Sequence, residues 1–356
     1  MEHPCIERKQ SQRAALPEMF ERYQGLIQLE LSAALPSTDH PLYGMLRYHM
    51  GWVDRDFRAS TDMGSQGKSL RPTLCLFAYE SLSANWQEII PAAVALELIH
   101  NFSLIHDDIQ DGDFERHHRP TIWTIWGRPS ALIAGNLMRG LADIAFQRLM
   151  NHIVGERRAL KGAELLSTSY LDMIQGQCLD ISFENRMDIS LEEYLGMVSR
   201  KTGALIKCSM ELGAILATDN ENVIAAFGRC GSLLGQAFQI QDDILGIWGD
   251  EMATGKSSGN DILRKKKTFP IVHALQTCCP ESSVKLSHIY SKPNLVEEDV
   301  QHVLSILTET EARQNAQQTT QTLTSQALDE ICNVGIPKWA REEIEDLVTF
   351  LNGRQY

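Results

Sequence analysis

Residues 91–111 read PAAVALELIHNFSLIHDDIQD. The run is apolar, poor in β-branched residues and long enough for about five turns of α-helix. Its apolar residues recur three and four apart but fill other faces too, the pattern of a helix buried within a bundle. The last turn changes character, because Asp107, Asp108 and Asp111 follow the greasy stretch directly. Four residues separate Asp107 from Asp111, so on a helix they share one face.

Residues 202–217, TGALIKCSMELGAILA, and 231–249, GSLLGQAFQIQDDILGIWG, carry the same helical pattern. No train of alternating strands with hairpin turns appears. Breaks fall where Gly, Pro and Ser gather: at 60–72, with Pro72 suited to a first helical turn; at 115–130, with Pro120, Gly127 and Pro129; and at 249–270. The chain reads as all-α, a single domain of about ten or more helices over residues 16–356, with a looser N-terminal tail at 1–15.

The 356 residues carry a net charge of -13, with 43% hydrophobic and 7% aromatic residues. An acidic balance argues against nucleic acid as a partner, since that needs a basic footprint. No run of about 18 apolar residues predicts a membrane anchor, and the N-terminus has no apolar signal core. These features point to the cytoplasm. The eight cysteines show no C-x-x-C and no metal spacing, which reads as reduced, mostly buried thiols.

A second acidic pair, Asp242-Asp243 in FQIQDDILG, also ends an apolar helical stretch. Unpaired carboxylates in such places repel one another and titrate upward. A hard divalent cation removes both problems. Oxygen-only ligands suit Mg2+, which keeps waters and accepts substrate phosphates, and the absence of His or Cys at ligand spacing disfavours zinc. Basic residues follow each cluster, as a diphosphate would require.

From about residue 40 onward the chain resembles the trans-type (E-) isoprenyl diphosphate synthases, the polyprenyl synthetase family, and its geranylgeranyl diphosphate members in particular. LIHDDIQDGD (104–113) and FQIQDDILGIWGD (238–250) are similar to that family's two aspartate-rich motifs. GKSLRP (67–72) is similar to its G-K-x-x-R-P element, RKTGAL (200–205) to its lysine-threonine motif, and residues 254–275 to its basic loop. The resemblance implies an isoprenoid-synthase-type helical bundle around a deep apolar cavity, with the two clusters facing each other across its mouth.

It implies that Asp107, Asp108, Asp111 and Asp242 bind Mg2+, about three ions per site, with Asp243 behind them. Arg116, Lys201, Gln239, Lys256 and Lys266 would hold the diphosphate of an allylic prenyl substrate. Lys68, Arg71, His100 and His117 would hold isopentenyl diphosphate, with Arg354 a candidate to close over it. The chemistry implied is ionisation, condensation and elimination, with no protein nucleophile, and the family habit is a homodimer. Phe102 and Ser103, five and four residues before Asp107, would set product length, Phe102 as an aromatic floor consistent with a C20 product. His106, His118, Trp123, Trp126 and Trp248 read as packing or solvent-facing residues.

Three positions depart from the family pattern. His117 stands where a second arginine is usual, Gly246 where the second cluster has its third aspartate, and Asn136 where an aspartate is common. Histidine lacks the guanidinium fork and is only partly charged near neutral pH. The alternatives left open are a class I terpene cyclase on the same fold, with an impaired isopentenyl diphosphate site, and a non-catalytic regulatory subunit.

Overall fold

The computed structural model describes residues 16–60, 69–151, 154–249 and 259–353. The expected 1–15 tail lies outside the described residues. The helices are α1 (Glu18–Ala34), α2 (Pro41–His49), α3 (Leu70–Glu80), α4 (Ile90–Gln110), α5 (Ile122–Trp126), α6 (Arg128–Gln147), α7 (Glu156–Phe183) and α8 (Leu191–Lys201). They continue with α9 (Gly203–Ala217), α10 (Glu221–Trp248), α11 (Asn260–Leu263), α12 (Phe269–Thr277), α13 (Pro280–Ser291), α14 (Glu297–Glu309), α15 (Ala312–Cys332) and α16 (Lys338–Gly353). The all-α expectation holds, and the 91–111 stretch forms α4 almost residue for residue.

Helix α4 is the axle of the bundle. Its residues from Ile90 to Ile99 are buried on every face except at the end, because α3 and α6 pack along it. Together with the turn before it, this segment is apolar and long enough by composition to cross a membrane, yet 78% of that window is buried among neighbouring helices. It is a core helix. Helices α9 and α10 pair along their length, α9 leans on α3 and α7, and α10 is backed by α15. The main core joins α1–α7, α9, α10, α15 and α16. Two smaller cores sit under α11–α15 and between α8, α10 and α12.

One feature the sequence pattern did not announce is a short hairpin within 115–130. Strand β1 (Glu115–Arg116) pairs antiparallel with β2 (Arg119–Pro120), with Arg116 opposite Arg119. His117 and His118 form its turn, both with positive φ (51° and 60°), as a tight right-twisted hairpin turn demands. Arg119 fastens the hairpin to α2: it donates to the carbonyls of Tyr48 (3.2 Å) and Val53 (2.7 Å) and lies 4.2 Å over the Tyr48 ring. Of the described cysteines, Cys75, Cys208 and Cys230 are buried, Cys178 and Cys279 are exposed, and all are free thiols.

Candidate active site

The last turn of α4 and the C-terminal half of α10 bring the two acidic clusters to one cavity of ≈ 530 Å³. Asp107, Asp108 and Asp242 line it, as do Arg71, Arg116 and Lys201. Its less polar wall includes Leu104, Met173 and Phe238. Among the described residues no three acidic, histidine or cysteine side chains converge closely enough to hold an ion by themselves. Asp107 and Asp108 come from α4 and Asp242 from α10, and all three line the same cavity.

Burial pushes the Asp107 carboxyl up to about 6. Lys201 pulls against that shift, and the Asp111 and Asp108 charges add to it. Burial also raises Asp108, against the attraction of Arg116. Arg116 grips Asp108 through Nε (2.8 Å) and Nη2 (2.7 Å), both on Oδ1. Asp111 is exposed just past the end of α4, and Gln177 of α7 donates to it weakly at 3.4 Å. The Gln177 side-chain oxygen is buried with no partner.

Lys201 is delivered by a close helix contact. A Cβ on Gly176 would stand 2.6 Å from the Lys201 Cα, so only glycine lets α7 approach the end of α8 here. Burial alone would lower the Lys201 ammonium, but Asp180, to which it is hydrogen-bonded, together with Asp107 and Asp111 holds it above its usual value. Asp180 gave no signal in the sequence, because the pair lies 21 residues apart on different helices.

Asp243 is fully engaged by protein. It accepts hydrogen bonds from the Tyr194 hydroxyl, from Gln239 Nε2 (2.9 Å) and from the Phe269 N–H (2.8 Å). Burial pushes it up to about 7, even though all three bonds favour its charged form. Gln239 lines the cavity, but its amide is occupied as a brace: Oε1 accepts from the Thr202 hydroxyl at 2.6 Å while Nε2 serves Asp243. Its expected contact with the allylic diphosphate therefore competes with two bonds already made.

Arg71, His100 and His117 also line the cavity. Burial lowers the Arg71 guanidinium, while Glu97 and Asp242 support its charge, and among the described residues its Nε has no hydrogen-bond partner. Burial, then Arg71 and Arg116, hold His100 well below its usual value. His49, unremarked in the sequence, bonds Asn101 (3.1 Å) and is pushed down to about 3 by burial and by Arg116. Glu97 also lines the cavity, and among the described residues one of its carboxyl oxygens lacks a partner.

Three expected residues fall outside the described ones: Lys68, Lys256 and Arg354. Lys266 is exposed beside Asp261, 3.9 Å away, and is not part of the cavity wall. Phe102, expected to form the cavity floor, is not among the residues that line the cavity. It is buried with its ring against His106 (4.9 Å), and it is Ser103 and Leu104 that line the cavity.

Comparison with known proteins identifies the family. The sequence pattern of the polyprenyl synthetase family matches residues 58–307. The chain belongs to that family, a family of prenyltransferases. It is 38% identical over 263 residues to a geranylgeranyl diphosphate synthase of Mycobacterium tuberculosis, covering 74% of this chain and 73% of that one. It is 34% identical over 347 residues to a (2E,6E)-farnesyl diphosphate synthase of Mycobacterium bovis, covering 96% and 94%. A solved polyprenyl synthetase structure from Streptomyces coelicolor superposes with a TM-score of 0.86 at 32% identity, covering 94% and 98%.

Proposed function

We propose that this chain joins isopentenyl diphosphate to an allylic prenyl diphosphate, with Mg2+ as cofactor, and ends near the C20 product, geranylgeranyl diphosphate. The observation that carries the reading is the convergence of Asp107, Asp108 and Asp242 with Arg71, Arg116 and Lys201 around one part-apolar cavity. The donor set fits magnesium. It is made of carboxylate oxygens, and a buried, partnerless oxygen of Gln177 stands beside Asp111. Asp107, Asp111 and Asp242 would hold the ions, which when bound supply positive charge to the departing diphosphate. Arg116 and Lys201 would orient that diphosphate, while Leu104, Met173 and Phe238 keep water from the allylic carbon as its C–O bond breaks and the electron pair leaves with the diphosphate.

Arg71, His100 and His117 would hold the second diphosphate so that its terminal double bond meets the allylic carbon. A new C–C bond forms, and the proton lost from the neighbouring carbon passes to an oxygen of the released diphosphate. No protein nucleophile takes part. Small Ser103, one turn below Asp107 on the cavity wall, leaves room for a growing chain. A second copy of the chain covers the exposed apolar side chains of α6 (Leu132, Ile133, Ile144) and α7 (Leu171, Ile174, Ile181); light scattering at a dimer mass checks this. The test of function is purified protein with Mg2+ and farnesyl diphosphate, with and without labelled isopentenyl diphosphate. Label in a longer diphosphate supports the reading. A hydrocarbon formed without the second substrate, or no turnover, overturns it.

A further inference from the structure

Arg116 and Arg119 face each other across the two strands of the hairpin. Directly opposed residues of an antiparallel pair project to the same face, and like charges placed there repel. Both residues line the cavity. Arg116 is answered by Asp108, with its Nη2 at 2.7 Å from the carboxylate. Arg119 is answered by no carboxylate: among the described residues it makes no ion pair, and its hydrogen bonds go to the neutral carbonyls of Tyr48 (3.2 Å) and Val53 (2.7 Å).

The Arg119 guanidinium is held in place. It lies 4.2 Å over the Tyr48 ring, and the Tyr48 hydroxyl donates to the Pro120 carbonyl at 2.8 Å, tying the same strand to α2. The two carbonyl bonds leave other N–H groups of the guanidinium to spare. The next residue of α2, His49, also lines the cavity. Burial first, then Arg116, His117 and Arg119, oppose a charge on its ring, so these three side chains border one corner. His49 in turn acts on His100, which puts that corner beside Arg71 and His100, the residues assigned to the second diphosphate. At this corner residue 117 is a histidine, with no guanidinium fork.

We propose that Arg119 is a further binding residue for the second diphosphate, standing in from the second strand of the hairpin for the guanidinium that position 117 lacks. Its remaining N–H groups take diphosphate oxygens as charge-assisted partners, while the Tyr48 ring and the two carbonyls fix its orientation before substrate arrives. The proposal rests on the prenyl-transfer reading above. It makes positions 117 and 119 partly interchangeable as sources of a guanidinium.

The test is the KM for isopentenyl diphosphate, at saturating farnesyl diphosphate and Mg2+, with thermal melting in parallel. Arg119→Gln should raise that KM by about 10- to 100-fold, the loss of a charge-assisted contact, while the KM for farnesyl diphosphate moves by less than about 3-fold. Arg119→Lys keeps the charge without the fork and should fall between. A loosened hairpin would raise the same KM, so the deciding variant is His117→Arg/Arg119→Gln. It should recover KM toward the wild type, a larger gain than His117→Arg gives alone. Should Arg119→Gln melt below the assay temperature, Arg119→Lys with and without His117→Arg carries the same comparison. An unchanged KM in the Arg119 variants, or a rise that His117→Arg leaves uncorrected, overturns the proposal while leaving prenyl transfer intact. A wild type that incorporates no isopentenyl diphosphate overturns the prenyl-transfer reading itself.

Discussion

Replacing Asp243 by alanine should cost stability rather than only activity, and the size follows from its partners. The Phe269 N–H and the Tyr194 hydroxyl belong to residues 2% and 1% exposed, and each would lose its acceptor in a place water does not reach. An orphaned buried donor costs about 1–3 kcal/mol, so the pair costs about 2–6 kcal/mol. Gln239 is half-buried and keeps its bond to Thr202, so it adds little. At about 2.1 cal/mol/K of unfolding entropy per residue, a chain of this length should melt about 3–8 °C lower. The assay is calorimetry of the metal-free protein, with Asp242→Asn as the comparison, since Asp242 lines the cavity. Asp242→Asn should abolish turnover and leave melting within about 1 °C. If Asp243→Ala melts like the wild type while Asp242→Asn does not, the assignment of a bracing role to the one and a cation-facing role to the other is wrong.

Further outcomes follow from the same geometry. Asp107 is raised to about 6 in the folded protein against about 3.9 in an unfolded chain. Its contribution to metal-free stability is therefore full below the unfolded value and lost as pH rises through about 6. Melting of the metal-free wild type should accordingly fall across that window more than melting of Asp107→Asn, and Mn2+ binding near pH 6 should release protons, seen as buffer-dependent heat in calorimetry. His117→Arg should lower the KM for isopentenyl diphosphate, because a bidentate guanidinium fork replaces an imidazole ring; unchanged steady-state kinetics would make the substitution silent. His118→Gly should raise stability by about 1 kcal/mol in a denaturant melt, since a side chain at φ 60° is strained in the turn. Ser103→Phe should shorten the products resolved by chromatography, whereas a change of product length in Phe102→Ala alone would restore Phe102 as the floor.

Much of the helical architecture was legible because burial imposes a periodicity, and α4, α9 and α10 carried it over long stretches. The two acidic clusters were legible because carboxylates at the end of apolar helices are costly unless something answers them. What stayed hidden was long-range. Tyr194 meets Asp243 across 49 residues, and Asp261 meets Gly246 across a turn that only the folded chain closes. Neither leaves a local pattern. The hairpin at 115–120 was hidden for another reason: its strands are two residues each, and its turn uses two histidines where glycine or asparagine would have announced it. That Phe102 packs on His106 rather than lining the cavity was hidden as well, since the face a helical side chain presents depends on how the helix docks.

The central claim is that Asp107 and Asp242 form opposite walls of one cation-and-diphosphate site. Anomalous diffraction near the manganese absorption edge, from crystals soaked with Mn2+ and pyrophosphate, tests it most directly. The account predicts manganese peaks in the cavity contacting Asp107 on one wall and Asp242 on the other, with pyrophosphate between. Manganese on only one wall, or pyrophosphate bound elsewhere while the cavity stays free of both, would contradict it.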